Sequence, residues 1–180
     1  SIFLVALVLL LLYKAMENKR FEMLLRIHKR LLEQGYSLQT CLLGDGPERS
    51  RLERFVRENA LEDSVTFLGY QTNPYKYIAN CDLFVCASIA EGFSTAATEA
   101  LIVGTAVCTV DVSGMKEMLG ANNEYGIVTE SNEEALYRGI KSLLDDPGLL
   151  AHYKKQAQLR GQTFSTQNTV KAVQDLLVSL

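Results

Sequence analysis

The 180-residue chain has few of the residues that build metal centres. It contains only two histidines, His28 and His152, which lie far apart in the sequence, and its cysteines lack Cys-x-x-Cys spacing. We therefore predict no zinc site, and we expect each histidine to be an ordinary packing or surface residue. The four cysteines are Cys41, Cys81, Cys86 and Cys108. All of them lie in or beside apolar runs, which indicates buried thiols in a reducing compartment.

The chain also has no strong excess of charge of either sign. Eighteen Lys and Arg stand against 21 Asp and Glu, and the net charge of −3 gives no reason to expect a nucleic-acid partner. Six basic residues nevertheless cluster at positions 14, 19, 20, 26, 29 and 30. Such a cluster can bind a small anion, but on a helix Arg26, Lys29 and Arg30 are expected to form a solvated face.

No hydrophobic run is long enough to cross a bilayer as a helix. The longest, residues 2–12, has eleven apolar residues and lacks the basic start and the cleavage site of a signal peptide. We predict that it forms a central β-strand. With 48% hydrophobic residues, the chain has enough apolar material for one globular domain with a sizeable core.

Strand-like and helix-like segments alternate along the sequence. Strands are predicted at about 2–12, 37–43, 65–68, 82–86, 106–110 and 126–128, and helices at about 17–34, 48–60, 73–79, 95–103, 113–119 and 132–145. Pro147 is predicted to open a further helix that Gly161 ends, before a last amphipathic stretch over 167–180. The alternation predicts an α/β, Rossmann-like doubly wound parallel sheet of about six strands with helices on both faces.

In such a sheet, ligands bind where the strands end at their carboxyl termini. The candidate loops begin near Tyr13, Gly44, Gly69, Ser88 and Asp111. Glu91 belongs to one of these loops, the loop that begins near Ser88. We therefore expect the binding site on this edge of the sheet.

The run from Glu91 to Glu99 places two carboxylates around the predicted start of an apolar helix. Gly92 allows a sharp turn, and Ser94 or Thr95 can cap the helix, whose first N–H groups would attract an anion. Glu99 lies too many residues after Ser94 or Thr95 to complete a capping box with either of them. A carboxylate there needs hydroxyl or amide donors if it is buried, and the cis-hydroxyls of a ribose are suitable. The alternative is that Glu99 reaches solvent and Glu91 ends a loop.

Short motifs in a fixed order over residues 36–147 carry a family resemblance. They are Leu43-Gly44-Asp45-Gly46-Pro47-Glu48-Arg49, Val65-Thr66-Phe67-Leu68-Gly69-Tyr70, Asp82-Leu83-Phe84-Val85, Glu91-Gly92-Phe93, Glu99-Ala100 and Gly104-Thr105-Ala106-Val107. Each piece is weak, but the ordered set is specific. The chain resembles the retaining glycosyltransferases of family 4, whose Glu-x7-Glu signature Glu91 and Glu99 match.

The resemblance implies that residues 1–180 are the C-terminal, donor-binding half of a two-domain glycosyltransferase with the B-type fold. We expect the N-terminal, acceptor-binding domain to lie outside this chain, and the isolated half to be inactive alone. The family's roles would have Glu91 bind sugar hydroxyls as the catalytic residue, Glu99 hold the ribose, and Lys19 contact the donor diphosphate. The family usually has Gly-Arg where this chain has Tyr13-Lys14, so Lys14 keeps the charge but not the bidentate fork of arginine.

The remaining donor-binding candidates come from the same comparison. Gly92 and the backbone N–H groups of Phe93, Ser94 and Thr95 would face the phosphates, and Gly44, Gly69 and Tyr70 would line the cleft. Tyr70 is expected either to stack on the base or to be a partly buried packing residue. Gly44-Asp45-Gly46 is not an NAD fingerprint, because Arg49 occupies the third glycine position. A tight turn before a helix opened by Pro47 is the simpler interpretation.

The expected donor is a UDP- or GDP-linked sugar, and the expected acceptor is a glycan or lipid-linked molecule in surface polysaccharide synthesis. The sequence has no Asp-x-Asp pair of the kind that holds a diphosphate through a metal, so we expect a metal-independent, cofactor-free reaction. The resemblance places the enzyme in the cytoplasm, with peripheral association at the inner face of the membrane. Two alternatives stay open: a non-catalytic sugar-nucleotide-binding or assembly module, and a sugar-nucleotide epimerase of the same fold.

Overall fold

The computed structural model describes residues 6–12, 19–87, 93–112 and 114–178. Side chains are described throughout these ranges except at 6–12, 19, 93–95 and 165–178. The expectations for Tyr13, Lys14, Glu91 and Gly92 therefore lie outside the described residues. For Lys19, Phe93, Ser94 and Thr95 the structure gives the backbone alone.

Strands and helices alternate as predicted. The strands are β1 (Ala6–Leu12), β2 (Leu38–Gly44), β3 (Val65–Gly69), β4 (Leu83–Cys86), β5 (Ala106–Val110) and β6 (Ile127–Thr129). The helices are α1 (Lys19–Glu33), α2 (Arg49–Glu58), α3 (Tyr75–Ala79), α4 (Phe93–Ile102), α5 (Met115–Leu119), α6 (Glu133–Asp145) and α7 (Pro147–Val178).

All six strands are parallel and are ordered β3-β2-β1-β4-β5-β6. The first three strands extend the sheet in one direction and the last three in the other, so the order reverses between β1 and β4. The apolar run at 2–12 does provide a central strand, described from Ala6 onward. The predicted doubly wound α/β sheet is thereby confirmed.

Two hydrophobic cores cover the two faces of the sheet. On one face α1, α2 and α6 contribute Leu25, Leu52 and Leu136, and on the other α3, α4, α5 and the middle of α7 contribute buried side chains. The four residues of β4 alternate between the cores, since Leu83 and Val85 belong to the first while Phe84 and Cys86 belong to the second. Because β4 is buried on both faces, its sequence is a continuous apolar run.

The cysteines are free thiols, and three of the four are buried. Burial raises the pKa of both Cys81 and Cys108 to about 12, so these thiols stay protonated and unreactive at neutral pH. Cys41 is half-buried, and burial raises its pKa as well. The prediction of buried thiols is confirmed for Cys81, Cys86 and Cys108.

The prediction that Gly161 ends a helix is wrong. Helix α7 continues through this residue to Val178, and Gly161 is buried where α7 crosses α4. A Cβ atom at Gly161 would lie 2.2 Å from the carbonyl oxygen of Leu101 and 2.8 Å from the Cα of Ile102. The glycine is therefore explained by the close approach of two helix backbones rather than by helix termination.

Two helix starts also differ from the predictions. Helix α2 begins at Arg49, with Pro47 in the preceding turn, and α4 begins at Phe93, so Ser94 and Thr95 lie within its first turn rather than at its cap. The predicted end of α4 at Gly104 is confirmed. There Gly104 N–H donates to Leu101 O and Thr105 N–H to Ala100 O, the bonding pattern of a Schellman motif.

Candidate functional site

The candidate site lies where the strand order reverses. Because β1 and β4 are parallel neighbours, the chain segments that follow them leave the same edge of the sheet. These segments, 13–18 and 88–92, contain Lys14 and Glu91. In doubly wound sheets this edge, at the switch point, is where ligands bind. Lys14 and Glu91 themselves lie outside the described residues, so their location at this edge stays a prediction.

The first turn of α4 opens on this edge. The backbone of Phe93, Ser94 and Thr95 is helical directly after the 88–92 segment. The first turn of any helix has N–H groups without intrahelical acceptors, and the helix dipole adds positive potential there. A helix start at the switch point is suited to a phosphate.

Glu99 lies on the second turn of α4 and is half-buried. The hydroxyl of Tyr75, at the start of α3, donates to Glu99 Oε1 over 3.4 Å. Burial raises the pKa of Glu99, and the hydrogen bond from Tyr75 partly opposes that rise. The expectation that Glu99 simply reaches solvent is therefore incomplete. Its carboxylate is partly desolvated, and one weak phenolic donor leaves it capacity to accept more hydrogen bonds.

Gly69 and Tyr70 end β3 on the same edge. Gly69 has φ +66°, and Tyr70 is 69% exposed, so its ring is not the partly buried packing residue that we considered as an alternative. The guanidinium of Arg49 lies beside Gly69, since a Cβ at that glycine would come 3.3 Å from Nη1. Arg49 is also ion-paired with Glu53 at 3.0 Å. Tyr70 is thus exposed to solvent directly after a glycine that lies beside the Arg49 guanidinium.

The predicted tight turn after β2 is confirmed. Gly44 has φ +112°, Gly46 N–H donates to Asp45 Oδ1 at 2.8 Å, and Arg49 N–H donates to Gly46 O at 3.1 Å. The turn brings Gly44 to the same edge as Gly69, because β2 and β3 are parallel neighbours. Both Gly44 and Gly69 have the left-handed backbone that favours glycine.

Arg20 was not singled out by the sequence, yet it connects three elements at this edge. Its Nη1 donates to the carbonyl oxygen of Ala87 at 2.9 Å, and its Nη2 donates to Ser131 Oγ at 3.1 Å. Ala87 directly follows β4, and Ser131 lies between β6 and α6. These contacts span 67 and 111 residues of sequence, so no local pattern signals them.

Arg26, Lys29 and Arg30 of α1 form the solvated face predicted for them. Arg26 pairs with Glu133 at 2.9 Å, Arg30 pairs with Glu134 at 2.6 Å, and both ion pairs are exposed. Lys29 pairs with a glutamate on its own helix at 3.6 Å. These residues link α1 to the first turn of α6 or to their own helix, and they are not part of the candidate site.

The sequence alone predicts that Gly114 and Glu117 either close the donor region or cap the short helix α5. Gly114, with φ +86°, is the N-cap of α5, and its carbonyl accepts from Met118 N–H at 3.1 Å. At the other end of α5, Arg160 of α7 donates to the carbonyl oxygens of Glu117 at 2.8 Å and Met118 at 2.9 Å. The capping interpretation is confirmed for Gly114.

Neither histidine is part of a metal cluster. His28 is 2% exposed between Thr40 and Ser64, and His152 lies on the surface of α7 with its ring against Tyr153. Across the described ranges, no group of three or more His, Cys, Asp or Glu side chains could hold a metal ion. The same ranges contain no helix that is both long and apolar enough to cross a membrane.

The fold and the switch-point edge are typical of an α/β domain that binds a nucleotide-containing ligand. Residues 7–160 match the family model described as "Glycosyl transferases group 1". The chain therefore belongs to the group 1 glycosyltransferase family, which confirms the resemblance drawn from the motifs.

Curated relatives share the family. The chain is 36% identical over 163 residues to the Campylobacter jejuni N-acetylgalactosamine-N,N'-diacetylbacillosaminyl-diphospho-undecaprenol 4-alpha-N-acetylgalactosaminyltransferase. It is 30% identical over 139 residues to the lipopolysaccharide core biosynthesis glycosyltransferase LpsD of Rhizobium meliloti. These matches cover 89% and 77% of this chain but only 43% and 40% of the relatives. The chain thus spans less than half the length of either protein.

Solved structures support the fold. A mutant of S. aureus TarM in complex with fondaparinux, alpha-GlcNAc-glycerol and UDP superposes with a TM-score of 0.81 at 21% identity, over 96% of this chain and 35% of that chain. Anabaena HepE in complex with UDP and glucose gives 0.78 at 23% identity, over 97% and 49%. At these identities the likeness shows that the architecture is shared.

Proposed function

We propose that this chain is the donor-binding half of a retaining, metal-independent glycosyltransferase that uses a nucleotide-diphosphate sugar. The observation that carries the proposal is the half-buried carboxylate of Glu99, which lies one turn beyond the first turn of α4 on an otherwise uncharged helix. A desolvated carboxylate needs hydrogen-bond donors, and a ribose diol supplies two beside a helix start that is suited to phosphate. The UDP named in the TarM and HepE complexes agrees with such a ligand.

We assign the proposed roles to residues at the carboxyl edge of the sheet. Glu99 accepts from the ribose hydroxyls, Tyr70 stacks on the base, and the first-turn N–H groups of α4 face the diphosphate. Lys14 and Lys19 neutralise the diphosphate in place of a metal, and Glu91 binds hydroxyls of the transferred sugar. Gly44, Gly69 and Gly92 let the backbone turn close to the donor.

In the proposed reaction, the bond between the anomeric carbon and the diphosphate oxygen breaks, and its electron pair leaves with that oxygen. The acceptor hydroxyl oxygen then bonds to the anomeric carbon on the same face, and its proton passes to the departing diphosphate oxygen. The helix start and the two lysines stabilise the charge that grows on the diphosphate. The acceptor would be held by an N-terminal domain, and the names of the C. jejuni and R. meliloti relatives favour a lipid-linked or surface glycan acceptor. We accordingly propose a cytoplasmic enzyme that works at the inner face of the membrane.

Calorimetric titration of the chain with UDP, GDP, ADP and NAD tests the proposal. We expect UDP or GDP to bind selectively, and Glu99→Gln to weaken that binding about tenfold, since a hydrogen bond to a charged group contributes about 1.5–3 kcal/mol. Glu62→Gln is the matched control, because Glu62 is exposed in a turn away from this edge. If Glu99→Gln left both nucleotide affinity and transfer by the full-length enzyme unchanged, the role of Glu99 would be wrong.

A non-catalytic module is the second candidate, favoured by Tyr13-Lys14 in place of the family's usual Gly-Arg. This module would bind the sugar nucleotide without transferring the sugar. Transfer by the full-length protein, lost in Glu91→Gln while nucleotide affinity persists, would exclude it. Binding without transfer by the full-length protein would favour it.

A further inference from the structure

Arg20 is the second residue of α1, and its guanidinium makes two hydrogen bonds to different elements. One nitrogen donates to Ala87 O at 2.9 Å, and the other donates to Ser131 Oγ at 3.1 Å. The Ala87 carbonyl lies one residue beyond the last residue of β4. Arg20 thereby connects the start of α1, the end of β4 and the turn before α6.

The Ala87 contact holds a backbone position that the sheet itself does not hold. Strand pairing between β4 and β5 ends at Cys86, and Ala87 is only 2% exposed. A buried carbonyl is costly without a donor, and a charged donor forms one of the stronger hydrogen bonds available to it. The planar guanidinium, bound at two nitrogens, also restricts the position of that carbonyl more than a single flexible donor would.

We propose that Arg20 is a positioning residue for the donor site, which holds the point where the chain leaves β4. Helix α4 begins only six residues after Ala87, so the position of Ala87 constrains where the first turn of α4 can lie. This inference rests on the proposed function. It assigns Arg20 no contact with the donor.

Arg26 offers a matched control on the same helix. It too bonds to the α6 region, through Glu133, but that ion pair is exposed and does not touch β4. Arg20→Ala removes the Ala87 contact, Ser131→Ala removes only the second hydrogen bond, and Arg20→Lys keeps the charge without the fork. Comparison of these variants with Arg26→Ala separates positioning of β4 from the general linkage between α1 and α6.

The first readout is hydrogen exchange of the ligand-free chain. We expect Arg20→Ala to accelerate exchange in the peptide over residues 83–100 and to leave β2 unchanged, while Arg26→Ala accelerates neither. Unchanged exchange over 83–100 would overturn the proposal. A residue that only contacted the donor would alter nucleotide affinity without altering hydrogen exchange in the ligand-free chain. This readout therefore distinguishes positioning from direct donor contact.

The second readout is nucleotide affinity, measured by titration with UDP and GDP. Arg20→Ala should weaken binding about tenfold, Arg20→Lys should fall between Arg20→Ala and the unmodified chain, and Arg26→Ala should stay within about twofold. If Arg20→Ala binds as tightly as the unmodified chain, or if Arg20→Lys matches that chain, positioning by the fork is wrong. Absence of binding by the unmodified chain would instead overturn the proposed function, on which this inference depends.

Discussion

Acidification should destabilise this domain through His28, because burial favours the neutral ring in the folded protein. Nε2 lies 2.8 Å from Ser64 Oγ, which itself donates to Leu61 O at 3.3 Å, so Nε2 carries the ring proton and donates it to Ser64. Nδ1 lies 2.7 Å from Thr40 Oγ1 and accepts from that hydroxyl. Protonation of Nδ1 would place two hydrogens between Nδ1 and Oγ1 unless Thr40 rotated.

The size of the effect follows from the pKa. Burial lowers the pKa of His28 from its ordinary value of 6.5 to about 4. One pKa unit corresponds to about 1.4 kcal/mol. Protonation of His28 by acid should therefore lower the free energy of unfolding by about 3 kcal/mol. Between about pH 4 and 6.5 the unfolded chain binds one more proton than the folded chain. The contribution of His28 to the free energy of unfolding is therefore fully present above about pH 6.5 and is lost as the pH falls toward 4. Below about pH 4 this residue causes no further loss.

Urea unfolding between pH 7 and pH 4 measures this contribution. We expect the unmodified chain to lose about 3 kcal/mol more over this range than His28→Gln, which is less stable at pH 7 but lacks the titrating ring. His152→Gln, at an exposed site, should follow the unmodified chain. If the free energy of unfolding fell equally with pH in the unmodified chain and in His28→Gln, His28 would not be the source of the acid sensitivity. An NMR titration in which the His28 ring protonates near pH 6.5 would lead to the same conclusion.

Two further predictions concern helix packing and the carboxylate of Glu99. Gly161→Ala should lower the free energy of urea unfolding by about 2 kcal/mol despite the better helix propensity of alanine, because its Cβ meets the Leu101 carbonyl at 2.2 Å; an unchanged or higher stability would contradict the close packing. Tyr75→Phe removes the hydrogen bond that partly opposes the rise in the pKa of Glu99 caused by burial. When the pH drops from 7 to 5, the UDP affinity of this variant should therefore fall by up to about fivefold more than the UDP affinity of the unmodified chain. Superimposable pH profiles would show that Tyr75 does not tune Glu99.

The sheet was predictable from sequence because its two central strands, β1 and β4, lie in continuous apolar runs. The run at 2–12 and the segment ending at Cys86 are continuous apolar stretches between helix-like segments, and a parallel sheet is the arrangement that buries them. The switch-point edge follows from that alternation. The ordered motifs then located Glu99 and Tyr70 on it.

The errors arise where tertiary contacts override local propensity. Gly161 has the poor helix propensity of any glycine, yet it lies within α7 because only a residue without Cβ lets α7 approach α4 so closely. The contacts of Arg20 with Ala87 and of Tyr75 with Glu99 join residues 67 and 24 positions apart. No local pattern encodes such pairs, so neither residue's role at this edge was predictable from the sequence.

NMR titration of the isotope-labelled chain with UDP, or with GDP if that binds more tightly, shows where on the domain the nucleotide binds. We expect backbone amide shifts to concentrate on Phe93, Ser94, Thr95 and Tyr70, with little change at the opposite edge of the sheet near Tyr36. The same titration of Glu99→Gln should need about tenfold more nucleotide to reach the same shifts. Shifts concentrated at the opposite edge, or none with either nucleotide at millimolar concentration, would contradict a donor site at the switch point.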